Sequence, residues 1–221
     1  MHSTTTRSRR SRQQIRDVLS KLGQALQPAP MPGQLKPMLC TLIAAPFDDP
    51  AWIFEPKYDG LRVLARVDGR ELTLLSRHGA SQNFQFPDVV AARRDNLTRP
   101  AIVDGEVVCL DEHGRSSFRA LQQRFHLTHA REVAVRMRQH PASLYLFDLR
   151  YVDPYDVRVL PLKDRKTLLR ETIQWSDDVR CTTHKRKKAR PYGGRRVMRG
   201  VKASLASIWT VHTSTGVAPG G

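Results

Sequence analysis

The feature of this chain with the most chemical potential is a lysine able to act as a nucleophile, in the stretch Glu55-Pro56-Lys57-Tyr58-Asp59-Gly60-Leu61-Arg62. Proline fixes its own φ, so Pro56 restricts the direction from which the chain reaches Lys57. Gly60 permits a tight turn that other residues resist. Lys57 is thereby held at the mouth of a strand-turn-strand unit, with Glu55, Asp59 and Arg62 around it. A lysine amine attacks only when deprotonated, and cationic neighbours or burial are what lower its pKa toward neutrality. A pattern this short is also what a solvated Lys-Asp turn looks like, so residues further along the chain must decide between the two.

Three further segments carry side chains whose plain readings are structural. Arg77, in Ser76-Arg77-His78-Gly79, reads as a surface arginine, and Glu106, in Asp104-Gly105-Glu106-Val107-Val108, as a solvated strand residue. Phe147, in Leu144-Tyr145-Leu146-Phe147-Asp148-Leu149, reads as a core aromatic.

The elements that must position these groups are legible in outline. Trp52-Ile53-Phe54 reads as a strand feeding the lysine turn. Leu61 to Val67 alternates apolar and polar residues, Asp68-Gly69 signals a hairpin, and Leu72 to Leu75 returns, so Arg77 emerges near where the hairpin began. A short helix is expected over Phe86 to Arg94. A buried strand, Ala101-Ile102-Val103, carries Asp104-Gly105-Glu106 to an edge before Val107 to Leu110 resumes. Helices are expected over Phe118 to Leu127 and Ala130 to Gln139, with Thr128 as the N-cap of the second. Leu144 to Tyr151 is an apolar strand. Leu162 to Ile173, with Leu168, Leu169 and Ile173 on one side, is a covering helix.

Charge divides the 221 residues into three parts. Residues 1–33 hold six basic residues and one acid, and read as a basic disordered arm and Pro-rich linker with a helical stripe at Ile15, Val18, Leu19, Leu22 and Leu26. Residues 34–178, with 21 basic and 20 acidic residues, form the motif-bearing body. Residues 179–221 hold ten basic residues and no acid, a basic tail that is atypical and reads as disordered or non-native. The net charge of +16 therefore lives on the two ends and is a poor argument for a polyanionic partner of the body. No apolar run approaches the ~18 residues of a membrane span, and the first residues lack a signal-peptide core. Cys40, Cys109 and Cys181 are few and widely spaced, which suits a reducing compartment. A cytoplasmic location is expected.

With these segments in order, Lys57-Tyr58-Asp59-Gly60-Leu61-Arg62 resembles the nucleotidyl-lysine motif of the ATP-dependent DNA ligases. The other three segments resemble the later motifs in the family's order, and Pro37-Met38-Leu39 resembles the usual start of the adenylation domain. The nearest relatives look like bacterial end-joining ligases. The resemblance implies an α+β fold of two antiparallel sheets around a nucleotide cleft, with flanking helices. It implies ATP and Mg2+, with Lys57 catalytic, Glu55, Arg62, Arg77, Glu106 and Phe147 binding the nucleotide, and Glu106 also binding the metal. Nicked or broken double-stranded DNA would be the substrate, no membrane would be involved, and end-joining proteins would be possible partners. An RNA ligase or capping-type nucleotidyltransferase is the alternative within the superfamily. A non-catalytic basic nucleic-acid-binding protein is the alternative outside it.

After about Val179 the resemblance stops. A fourth motif of the form E-G-x-V-x-K and a fifth with two lysines are not found, so the last strands are expected to be missing and nick sealing to be negligible. Gly200 through Gly221 can be back-translated so that a shifted frame encodes R-E-G-I-V-G-K-H-L-D-S-P-Y-V-H-G-R-S-P-G-W, which contains that fourth motif. A frameshifted reading of the tail is therefore expected, and nucleotide sequencing tests it.

Overall fold

A computed structural model describes residues 3–37, 52–69, 71–183, 185–186 and 209–213. Met38, Leu39 and Cys40 lie outside the described residues. So does the back-translated segment 200–221, apart from 209–213.

Strand β1 (Trp52–Pro56) leads into the loop 57–60, of which Lys57 and Asp59 are exposed, and β2 (Leu61–Asp68) and β3 (Glu71–Ser76) form the expected hairpin, with Val63 opposite Ser76. β2 also pairs with β4 (Ala101–Cys109), which pairs antiparallel with β5 (Ala142–Val152). The short β6 (Tyr155–Asp156) and β7 (Val179–Cys181) pair with opposite ends of β5, β7 in parallel. The large sheet thus runs β3-β2-β4-β5-β6, with β7 beside β5. β1 belongs instead to a smaller antiparallel sheet, β8-β1-β9, with β8 at Lys185–Arg186 and β9 at Trp209–Thr213. Two sheets meet where the lysine loop crosses from one to the other. This is the expected α+β arrangement, with one parallel pairing added.

β4 and β5 are buried along nearly their whole length because both of their faces are covered. Helices α2 (Pro87–Asn96), α3 (Phe118–Gln122), α4 (Ala130–Gln139) and α5 (Leu162–Thr172) complete the body. α3 is shorter than its apolar pattern suggests. Ser117 Oγ caps it by accepting from the Ala120 N–H, and His126 adopts a left-handed φ of 57° that the continued helix would forbid. His129, not Thr128, holds the N-cap position of α4, and its side chain makes no capping bond.

The N-terminal arm departs from the expected disorder. Ser3–Lys21 is helical (α1), and Ile15, Val18 and Leu19 are buried in the same core as Val63, Leu149 and Leu168. The stripe read as weakly helical is the face that packs, and burial outweighs the Ser/Thr/Arg composition. Arg12 Nε lies 2.8 Å from Asp153 Oδ2, Gln14 Nε2 donates to the Glu171 carbonyl at 2.9 Å, and Arg66 Nη1 donates to the Pro32 carbonyl at 2.6 Å. These bonds tie helix and linker to the body. Among the described residues, no helix is long and apolar enough to cross a membrane.

Candidate nucleotide site

Glu55 at the end of β1, Arg62 at the start of β2, Glu106 on β4 and Phe147 on β5 line one cavity, and Pro56, Tyr58 and Thr182 complete its wall. Four of the six expected site residues are therefore brought together from four strands. Lys57 sits beside them on the loop. Of the two environments that activate a lysine, cationic neighbours or burial, burial is absent here, since Lys57 is exposed. Arg77 is exposed, donates from Nε to His78 Nε2 at 2.8 Å, and does not line the cavity.

The lysine loop is positioned by close approach. Gly60 lies outside the left-handed region, so the tight-turn reason for a glycine there does not hold. A Cβ at Gly60 would meet the Val107 carbonyl oxygen at 2.5 Å and Glu106 Cγ at 2.7 Å. Only glycine lets the start of β2 come near enough to β4 for the Gly60 N–H to donate to Glu106 Oε1 at 3.1 Å. Gly105 is required for the same reason, since its Cβ would meet the Tyr145 carbonyl oxygen and Leu146 Cδ2, each at 2.7 Å. Ser116 Oγ accepts from the Asp59 N–H at 3.0 Å, and the Tyr58 ring lies 4.4 Å from that of Tyr145. The loop is pinned at the three residues that follow Lys57.

Burial raises both carboxyls that line the cavity, Glu55 in opposition to Lys166 and Thr182. Burial pushes Glu106 up to about 7, against the Arg62 guanidinium, the Gly60 N–H and the Lys57 ammonium, all of which favour its anion. Arg62 forms a fork on the buried Asp104, at 2.6 Å from Nε and 3.0 Å from Nη2, and its Cζ stands 4.2 Å from the Phe147 ring centroid.

Below the cavity lies a layer of buried ions. Asp148 accepts from Arg165 Nε at 2.8 Å and Nη2 at 3.1 Å, and from Arg150 Nη1 at 3.1 Å. Lys166 Nζ donates to Glu55 Oε1 at 2.7 Å and to the Phe147 carbonyl at 2.6 Å. Thr182 Oγ1 donates to the same Glu55 oxygen. Sequence reasoning named Asp104 and Asp148 inside motifs but gave them no role, and it missed Arg165, Lys166 and Thr182. A signal for Lys166 existed. It falls four residues after Leu162 and three before Leu169, on the apolar stripe of α5, where a solvated lysine does not belong. Thr182 carries no local signal, because only the β5–β7 pairing brings it there.

The family model described as "ATP dependent DNA ligase domain" matches residues 37–190, past the point where the motif resemblance ends. DNA ligase C of Mycobacterium tuberculosis is 33% identical over 147 residues, covering 66% of this chain and 40% of that protein. The multifunctional non-homologous end joining protein LigD of Pseudomonas aeruginosa is 30% identical over 177 residues, covering 74% of this chain and 20% of that protein. Among solved structures, "mycobacterial DNA ligase D complexed with ATP and MES" is similar at 26% identity with a TM-score of 0.49, covering 71% of this chain and 46% of that chain. The chain spans less than half the length of each.

Proposed function

The chain belongs to the ATP-dependent DNA ligase domain family, and we propose that its cavity binds ATP so that Lys57 Nζ attacks the α-phosphorus, expels pyrophosphate and retains AMP as a lysine phosphoramidate. The observation that carries this reading is the convergence of Glu55, Arg62, Glu106 and Phe147 on one cavity beside a solvent-accessible lysine.

Phe147 supplies a stacking face for the adenine. The Arg62 guanidinium now over that face gives way to the base, and its fork then meets ribose or phosphate oxygens. Glu55 lies at the edge of the base. Arg77, exposed and outside the cavity, is a second cation that the phosphates would meet beyond its lining. Chemistry of this type depends on in-line positioning and on neutralising phosphate charge.

A magnesium ion, when bound, supplies part of that neutralisation. Glu106 is the hard oxygen ligand that fits it, since its raised carboxyl is one that a neighbouring cation would return to the anion. Among the described residues, no group of three or more His, Cys, Asp or Glu could hold a metal alone, and magnesium characteristically takes one or two carboxylates with phosphate oxygens. In the complete reaction AMP passes to a DNA 5′-phosphate and a 3′-hydroxyl displaces it, sealing nicked or broken double-stranded DNA. That reaction would run in the cytoplasm, with end-joining proteins as partners.

Incubation with α-labelled ATP and magnesium, beside a Lys57→Ala control, tests the first step. A labelled protein band that is absent from the control and discharged by pyrophosphate is expected. No label on a folded sample overturns the reading.

A further inference from the structure

The buried ammonium of Lys166 joins the two parts of the cavity that meet a nucleobase. Lys166 is 3% exposed, Glu55 is 2% exposed, and their side chains come from α5 and β1, far apart in sequence. From this one atom, a hydrogen bond of 2.7 Å runs to the carboxylate at the base's edge, and another of 2.6 Å to the main-chain carbonyl of Phe147, whose ring is the stacking face. Thr182 holds the same carboxylate oxygen from a third element. Ordinary core packing would fill that α5 position with an apolar side chain. A buried pair offers little net stability over apolar replacement, so the pair calls for a reason other than stability.

We propose that Lys166 is a positioning residue for base selection, holding Glu55 as an anionic acceptor at a fixed offset from the Phe147 ring so that the cavity takes a 6-amino purine over a 6-oxo purine. This rests on the nucleotide reading above. An anionic carboxylate accepts from an exocyclic amine and repels a carbonyl oxygen. Without the ammonium, the buried carboxyl takes up a proton and becomes a donor, which suits a 6-oxo group instead. Charge at Lys166 therefore sets the polarity of the edge, and its bond to the Phe147 carbonyl sets the spacing between edge and face. Sites that read a single polar group discriminate strongly because a mismatched partner leaves a buried group unpaired.

The test is calorimetric titration of ATP and of GTP, without magnesium, into the 221-residue protein and into its Lys166→Met variant, with a thermal melt of each. The unaltered protein is expected to prefer ATP. In Lys166→Met, ATP affinity falls about tenfold while GTP affinity holds or rises, so the ratio collapses. Lys166→Arg, which keeps the charge, restores part of the ratio. If Lys166→Met does not melt cooperatively, Thr182→Val serves in its place. It removes one of the bonds to the same oxygen and lowers the ATP-to-GTP ratio about threefold. A folded variant in which both affinities fall together, or neither changes, overturns the proposal and leaves the nucleotide reading standing. Failure of the unaltered protein to bind either nucleotide overturns both.

Discussion

The buried charges behind the cavity and the groups at its mouth differ in how they are held. Behind the cavity, Asp104, Asp148, Arg165 and Lys166 are buried and held by partners at 2.6–3.1 Å. At the mouth, Lys57 is exposed and Glu106 is poised near neutrality. Pairing does not act equally on the buried carboxyls: burial raises Asp104 in spite of Arg62 and Glu55 in spite of Lys166, while Asp148 goes the other way. Lys57 at the mouth is instead exposed, and among the described residues Glu106 has no guanidinium fork of its own, Arg62 being forked on Asp104. Burial alone would raise the Asp148 carboxyl, but Arg165 and Arg150 hold it below the ordinary carboxylate value. Burial also raises Glu106, and its weaker partners do not reverse it.

The comparison breaks most sharply at Asp148. Its replacement by Ala leaves Arg165 and Arg150 buried without their carboxylate and is expected to cost about 3–5 kcal/mol in urea unfolding. Lys57→Ala should stay within about 0.5 kcal/mol of the unaltered protein while losing all labelling by ATP. Equal destabilisation by the two changes would abolish the distinction.

Gly60→Ala should fall between these extremes, because it drives a Cβ into the Val107 carbonyl and separates the lysine loop from Glu106. A loss of about 1–3 kcal/mol is expected, with labelling reduced well beyond what the lost stability accounts for. A labelling rate unchanged in a folded Gly60→Ala protein would show that the close approach is dispensable.

Titration sharpens the comparison. Asp148, with its pKa depressed, contributes stability above its ordinary value of 3.8 that is lost as pH falls through the folded pKa. Glu106 has the opposite sign. Its contribution is present below 4.5 and is lost as pH rises to about 7, since the folded state holds the proton longer. The stability of the unaltered protein relative to Glu106→Gln should therefore decline between pH 4.5 and about 7, by roughly 3 kcal/mol at most. Unfolding curves across that range check it, and a flat difference would remove Glu106 from the set of labile groups.

The smallest effect is expected at Arg77. Exposed and outside the cavity, it should cost less than about 0.5 kcal/mol in stability when replaced by Ala, and change ATP affinity only a few-fold. A loss of tenfold or more (~1.4 kcal/mol) would mean that the rim closes over the nucleotide in a way that this arrangement of strands does not reveal.

Local pattern was enough for the hairpin of β2 and β3, for α4 and α5, and for the order of the motifs. Strict alternation, an Asp-Gly turn and an apolar stripe are each written within a dozen or so residues. Lys57, Glu55, Arg62, Glu106 and Phe147 were named by the resemblance of ordered motifs to a ligase family, since side-chain chemistry alone leaves each with a plain structural reading. Only the tertiary structure decided that the first helix packs into the core, that Gly60 is needed for a close approach and not for its φ, and that Arg77 stays outside the cavity. It alone paired Lys166 and Thr182 with Glu55, residues separated by 111 and 127 positions. Helix and strand periodicity record which face a residue takes within its own element. The charge met across an interface depends on which elements are neighbours, and long-range sheet pairing and burial settle that after the local pattern is exhausted.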